Sequence, residues 1–176
     1  MLKVLTTVLI SLILAPTLGQ AQTKLNVYLD PEFSQTLKDR AKDNNLRGVG
    51  VGLEAFLKTK THFSPLLNII DDFVFLNDKV YRTNNNGTAI ESIENVLNIF
   101  VGTSYAPIDN FYMSFSGGPS FINGQILVGV KPAIGLYISK SKRLTVKISY
   151  TTIFNRNSGE KQNYSSLSFA VGLKLF

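Results

Sequence analysis

The sequence predicts an all-β protein: an eight-stranded, antiparallel, up-and-down transmembrane β-barrel that follows a cleaved signal peptide. Three observations predict it. The first is a period-two alternation of apolar and polar residues, the signature of strands whose successive side chains point to opposite faces. In Leu144–Phe154, Leu144, Val146, Ile148, Tyr150 and Phe154 share one face, and Thr145, Lys147, Ser149 and Thr151 share the other. In Ser166–Leu175, Leu167, Phe169, Val171, Leu173 and Leu175 oppose Ser166, Ser168, Ala170, Gly172 and Lys174. The second is that no apolar run outside the N-terminal leader approaches the ~20 residues of a membrane helix. The third is a set of connections that alternate between long polar loops and short turns, as a barrel with one face outside requires, with the short outer Asn123-Gly124 turn as the exception.

The leader comes first. Lys3 gives a positive start, Val4–Leu14 an apolar stretch too short to span a bilayer, and Pro16 breaks it. Gly19-Gln20-Ala21 puts small residues where a signal peptidase cuts, so residues 1–21 read as a signal peptide. Removing 1–21 from 176 leaves 155 residues, a single domain over 22–176. The formal charge of +6 falls to +5 once Lys3 is gone. No four Lys or Arg are adjacent, so anionic headgroups or surface polysaccharide explain the charge better than nucleic acid. The absence of cysteine excludes disulfides, thiolate metal sites and a Cys nucleophile.

The strands follow in order. Lys24–Asp30 alternates weakly and reads as a short first strand, with 31–46 a polar outer loop. Arg47–Lys58 sets Val49, Val51, Leu53, Ala55 and Leu57 against Gly50, Gly52, Glu54, Phe56 and Lys58. A short connection leads to a strand near Ser64–Phe75, and 76–93 reads as a second outer loop around Asn84-Asn85-Asn86-Gly87. Glu94–Tyr105 alternates again, and Ala106–Asp109 turns the chain. Asn110–Phe121 follows, then Asn123-Gly124, the preferred pair of a type I′ hairpin turn. Gln125–Ser139 is the sixth strand, Leu144–Phe154 the seventh, 155–163 the third long outer loop, and the last strand runs to the C-terminus. Two features resist regular strands. Adjacent Asp71 and Asp72 imply that the apolar band ends just before them, because a charge at the bilayer midplane costs on the order of 2–4 kcal/mol for Lys or Arg and somewhat less for Asp. Pro132 cannot donate a ladder hydrogen bond and implies a bulge. With no Trp, the interfacial girdle falls to Tyr105, Phe111, Tyr150, Phe154 and Phe169.

The inward faces carry Glu54, Lys58, Asp72, Asn98, Lys131, Thr145, Lys147 and Lys174. Eight strands leave a lumen just wide enough for its own side chains, so these groups read as a hydrogen-bonded interior rather than a channel. His62 and Ser64 would share one strand face, and Glu54 could orient the imidazole, so a base–nucleophile pair is a second reading. A third is a soluble, lipocalin-like periplasmic barrel, which would place apolar residues inside and Lys and Ser outside. Gly48-Val49-Gly50-Val51-Gly52 lacks dinucleotide-loop spacing. No His, Asp and Glu cluster stands at ligand spacing, so neither metal nor cofactor is expected.

Several blocks carry a family resemblance over residues 46–176: Gly48–Gly52, Ser116-Gly117-Gly118-Pro119-Ser120, Gly129–Gly135 and Val171–Phe176. In order and kind they resemble the small outer-membrane β-barrels of Gram-negative bacteria, particularly those frequent in Bacteroidota. The resemblance implies a monomer in the outer membrane beside lipopolysaccharide, with outer loops free to meet a surface ligand, and no enzymatic activity. It also implies that Phe176 is the terminal aromatic read by the barrel-assembly machinery, although Phe176 is one residue out of phase with outward Leu173 and Leu175. His62-Phe63-Ser64 resembles the His-x-Ser pair of outer-membrane lipid A deacylases, but the Asn that follows Ser in that family is Pro65 here.

Overall fold

The computed structural model describes residues 24–38, 46–75, 93, 95–138, 141–157 and 162–175. Eight strands follow one another: β1 (Lys24–Lys38), β2 (Arg47–Lys58), β3 (Phe63–Val74), β4 (Asn95–Ile108), β5 (Phe111–Ile122), β6 (Gln125–Tyr137), β7 (Leu144–Asn157) and β8 (Gln162–Lys174). Each pairs antiparallel with the next, and β8 closes on β1, so the sheet is a complete barrel. Closure leaves no edge strand with unpaired backbone groups.

The register fixes the barrel's proportions. One ring of paired, outward-facing residues runs Tyr105, Met113, Ile134, Ile148, Phe169, Phe33, Val49, Phe73 and then Asn95. It leaves β4 at Tyr105 and returns to β4 at Asn95, a stagger of ten residues in one circuit. With ~3.3 Å per residue and ~4.8 Å between strands, that stagger tilts the strands by roughly 40°. Every one of the first eight residues in this ring is apolar or aromatic. Phe115, Val101 and Val128 add to the same outer wall, at 57%, 64% and 63% exposure.

The inner face reverses the polarity. Asp30, Glu32, Glu54, Asp72, Lys131 and Lys147 are all buried there, beside many Ser and Thr. The long chains fit because the inward rings alternate bulk. One reads Tyr112, Gly135, Lys147, Ala170, Glu32, Gly50, Asp72 across seven strands. A Cβ at Gly50 would collide with Asp72 Oδ1, and one at Gly135 with the Tyr112 ring. This polarity is the opposite of what the lipocalin-like reading requires.

Several sequence expectations need correction. β1 continues to Lys38, so 31–38 is strand and not loop. Leu29, Pro31, Phe33, Gln35 and Leu37 face out while Asp30, Glu32, Ser34 and Thr36 face in; the charges belong to a lumen rather than a loop. β4 runs to Ile108, which narrows the expected 106–109 turn to Asp109-Asn110, and β7 and β8 advance into the expected 155–163 loop. Pro132 makes no bulge. It pairs Phe115 in regular register, and β6 keeps one register with β7 on either side of it. Register shifts fall instead at Thr36/Lys38, Tyr105/Ile108 and Ile153/Asn157. Asp72 points inward and Asp71 outward, yet Phe73 and Phe75 continue the apolar wall beyond them. Of the expected girdle, Tyr105 stacks on Phe63 at 4.7 Å and Phe111 opens β5, whereas Tyr150 and Phe169 lie in mid-strand rather than at a rim. Asn123 (φ 47°) and Gly124 (φ 75°) form the expected hairpin turn. The leader 1–21, most of loop 76–93 and Phe176 lie outside the described residues.

Gly50→Val overfills its ring against Asp72 and Glu32. It is expected to destabilise the barrel by about 1–3 kcal/mol, read as a lower urea midpoint for the heat-shifted band on unboiled gels.

Candidate functional site

The lumen is built in layers. At the end bearing the long loops, Val74, Ile93, Val96, Ile122, Ile153 and Tyr164 form an apolar plug with Leu127 against it. At the other end, where β1 begins, β8 ends and the short turns lie, Tyr28, Phe56, Leu66 and Tyr112 make a largely aromatic layer. Its rings meet edge to face, Tyr28 on Phe56 at 5.7 Å and Phe56 on Tyr112 at 5.8 Å.

Between these layers sits the ionic core. Lys147, 2% exposed, donates to Asp30 Oδ2 at 2.7 Å and to Glu54 Oε2 at 3.0 Å. Asn68 Nδ2 donates to the other Glu54 oxygen at 3.2 Å. Lys131 Nζ donates to Glu32 Oε2 at 3.1 Å. Asp72 and Glu32 crowd the space over Gly50, and Ser120 Oγ donates to Asn98 Oδ1 at 2.7 Å. Taking such charges out of water costs several kcal/mol each, and close pairing with further hydrogen bonds is what offsets it. The ion pairs thus join β7 to β1 and β2, and β6 to β1, a cross-brace between pairs of strands that share no ladder.

The sequence-derived site residues divide into two groups. Glu54, Asp72, Asn98, Lys131, Thr145 and Lys147 are buried in the lumen, while Lys58 and Lys174 stand at the turn-end mouth. Asp30 and Glu32 are central to the core; in the sequence Asp30 ends the short first strand and Glu32 falls in the segment that reads as an outer loop. The regular alternation through Leu37 was the signal that could have found them. The proposed base–nucleophile set is not assembled. His62 is exposed in the β2–β3 turn with Nδ1 2.9 Å from the Ala106 carbonyl oxygen, and its ring meets Tyr105 edge-on. Ser64 is half-buried at the mouth, and Glu54 is engaged by Lys147 and Asn68 deeper in. Among the described residues no hydrogen bond links His62 to Ser64 or Glu54, and no group of His, Asp or Glu gathers as a metal site.

Comparison with solved structures places this architecture among outer-membrane barrels. The Yersinia pestis outer-membrane protein Ail in a phospholipid nanodisc aligns with a TM-score of 0.56 at 6% identity, over 86% of this chain and all of Ail. Neisserial surface protein A aligns at 0.55 and 11% identity, over 85% of this chain and 95% of that one. A de novo designed transmembrane β-barrel aligns at 0.50 and 13% identity, over 85% and 95%. At these identities the likeness is one of fold. No family model matches the chain, and no curated sequence relative does.

Lys147→Met strands Asp30 and Glu54 as unpaired buried acids and is expected to cost about 3–5 kcal/mol. The triple variant Asp30→Asn, Glu54→Gln, Lys147→Met should regain most of that loss. Because the chain has no Trp, the folded band on unboiled gels across a urea series is the suitable readout.

Proposed function

We propose that this protein is a non-enzymatic outer-membrane β-barrel whose long loops contact surface ligands or neighbouring lipopolysaccharide. The carrying observation is the inversion of polarity: a continuous apolar outer wall around a charged, braced lumen. Such a wall is stable in hydrocarbon and a liability in water. Two natural structures of like fold are described as a surface protein and as the attachment invasion locus protein, so surface contact is supported by analogy of fold. Export by a cleaved leader at 1–21, insertion by the assembly machinery through Phe176, a monomeric state and kinship with Bacteroidota barrels complete the reading and rest on the sequence blocks. A hydrolase at His62 and Ser64 is not adopted, since Glu54 is committed to Lys147.

Fractionation of native cells tests the reading directly. The protein is expected in the outer-membrane pellet as a band that shifts on boiling; recovery in the soluble periplasm contradicts it. The apolar plug and ionic core also fill the lumen, so purified protein in planar bilayers is expected to give no stable unit conductance. Regular single-channel steps would show that water crosses the core.

A further inference from the structure

The turn-end mouth opens into a cavity of about 800 Å³, within the range of small-molecule sites. Its floor is aromatic: Tyr28, Phe56 and Tyr137. Its wall carries two lysines on strands that flank β1, Lys58 on β2 and Lys174 on β8, both at inward-facing positions. Among the described residues neither side chain has a carboxylate within ion-pair reach or a hydrogen-bond partner, whereas Lys142, which also lines the cavity, reaches Asp109 at 3.6 Å and lies 5.0 Å above the Tyr137 ring. The acids of the ionic core do not serve Lys58 and Lys174. Along β2 Phe56 separates Lys58 from Glu54, and along β1 Tyr28 separates the mouth from Asp30. Tyr28 also anchors the rim, its hydroxyl donating to the Lys142 carbonyl at 2.9 Å.

Two ammonium groups that line one cavity and have no partner among the described residues match a dianion better than a monoanion, because a single carboxylate would engage one of them. Lysine binds phosphate as a flexible point charge. The floor beneath offers the partly exposed Tyr137 ring to a flat apolar group, Tyr28 and Phe56 being 2% and 5% exposed and packed below it. We propose that the turn-end mouth is a binding site for a small phosphomonoester that carries an aromatic ring, with the phosphate between Lys58 and Lys174 and the ring on Tyr137. The site is independent of which compartment this mouth faces and of the surface role argued above.

The test is a titration of phenyl phosphate against the full barrel in phosphatidylcholine nanodiscs, followed by amide NMR. Saturable shifts at Ala106, Tyr137 and Lys174 are expected, with inorganic phosphate binding about tenfold more weakly for want of the ring. Lys58→Gln with Lys174→Gln should weaken phenyl phosphate by about tenfold or more while the ionic-core amides and the heat-shifted band stay unchanged. Absent or non-saturating shifts in the unaltered protein would overturn the proposal, as would affinity indifferent to the double substitution. The same shifts produced by phosphatidylglycerol in the nanodisc, without added ligand, would also overturn it by assigning the cavity to a lipid headgroup.

Discussion

Everything in this molecule depends on the ladder between β1 and β8. Once it forms, the backbone has no edge left, and the chain must divide its side chains between two environments that never mix. The stagger of ten residues per circuit follows from the same pairings and sets the lumen's width. Eight tilted strands leave a lumen that side chains close across its middle and that opens at the turn-end mouth. The interior is therefore a packing problem as much as an electrostatic one.

The packing problem is solved ring by ring. Long polar chains sit opposite Gly or Ala on the neighbouring strand, as Lys147 sits between Gly135 and Ala170 and Asp72 beside Gly50. The electrostatic problem is solved by bridging across the lumen instead of along it. Lys147 holds acids from β1 and β2, and Lys131 holds one from β1. These contacts connect strands far apart in sequence, 93 to 117 residues, so they form only when the barrel has closed. A buried ion pair contributes little net stability against an apolar replacement. What it supplies here is a unique register, because a slip of β7 by one residue would turn Lys147 to the outer wall and leave its acids on β1 and β2 unpaired.

Most of the fold was legible in the sequence because a barrel wall is a two-faced strand repeated. β2 was bounded to the residue, and the type I′ turn followed from Asn123-Gly124. The misses share one cause. Strand-breaking signals learned from soluble sheets, such as the polar, charged stretch after Asp30 or the proline at Pro132, lose their force in a barrel. There the inner face welcomes charge, and a regular register carries Pro132 without a bulge. The layered lumen was only half visible. Alternation names the inward residues, but which acid meets which lysine depends on the stagger, and stagger is set by pairings between β1 and β8 that no local pattern encodes. His62 and Ser64 illustrate the limit from the other side: period two put them on one face, yet the imidazole turned to the Ala106 carbonyl.

The central claim is that the outer wall faces hydrocarbon. The chain has no native cysteine, so a single nitroxide can be placed at Phe115→Cys or Phe169→Cys on the protein in lipid bilayers. Collision with dissolved oxygen and with a water-soluble nickel chelate then reports the surroundings of each label. The account predicts strong relaxation by oxygen and almost none by the chelate at both positions. Ready access of the chelate to both would mean that the wall faces water and that the barrel is not a membrane protein.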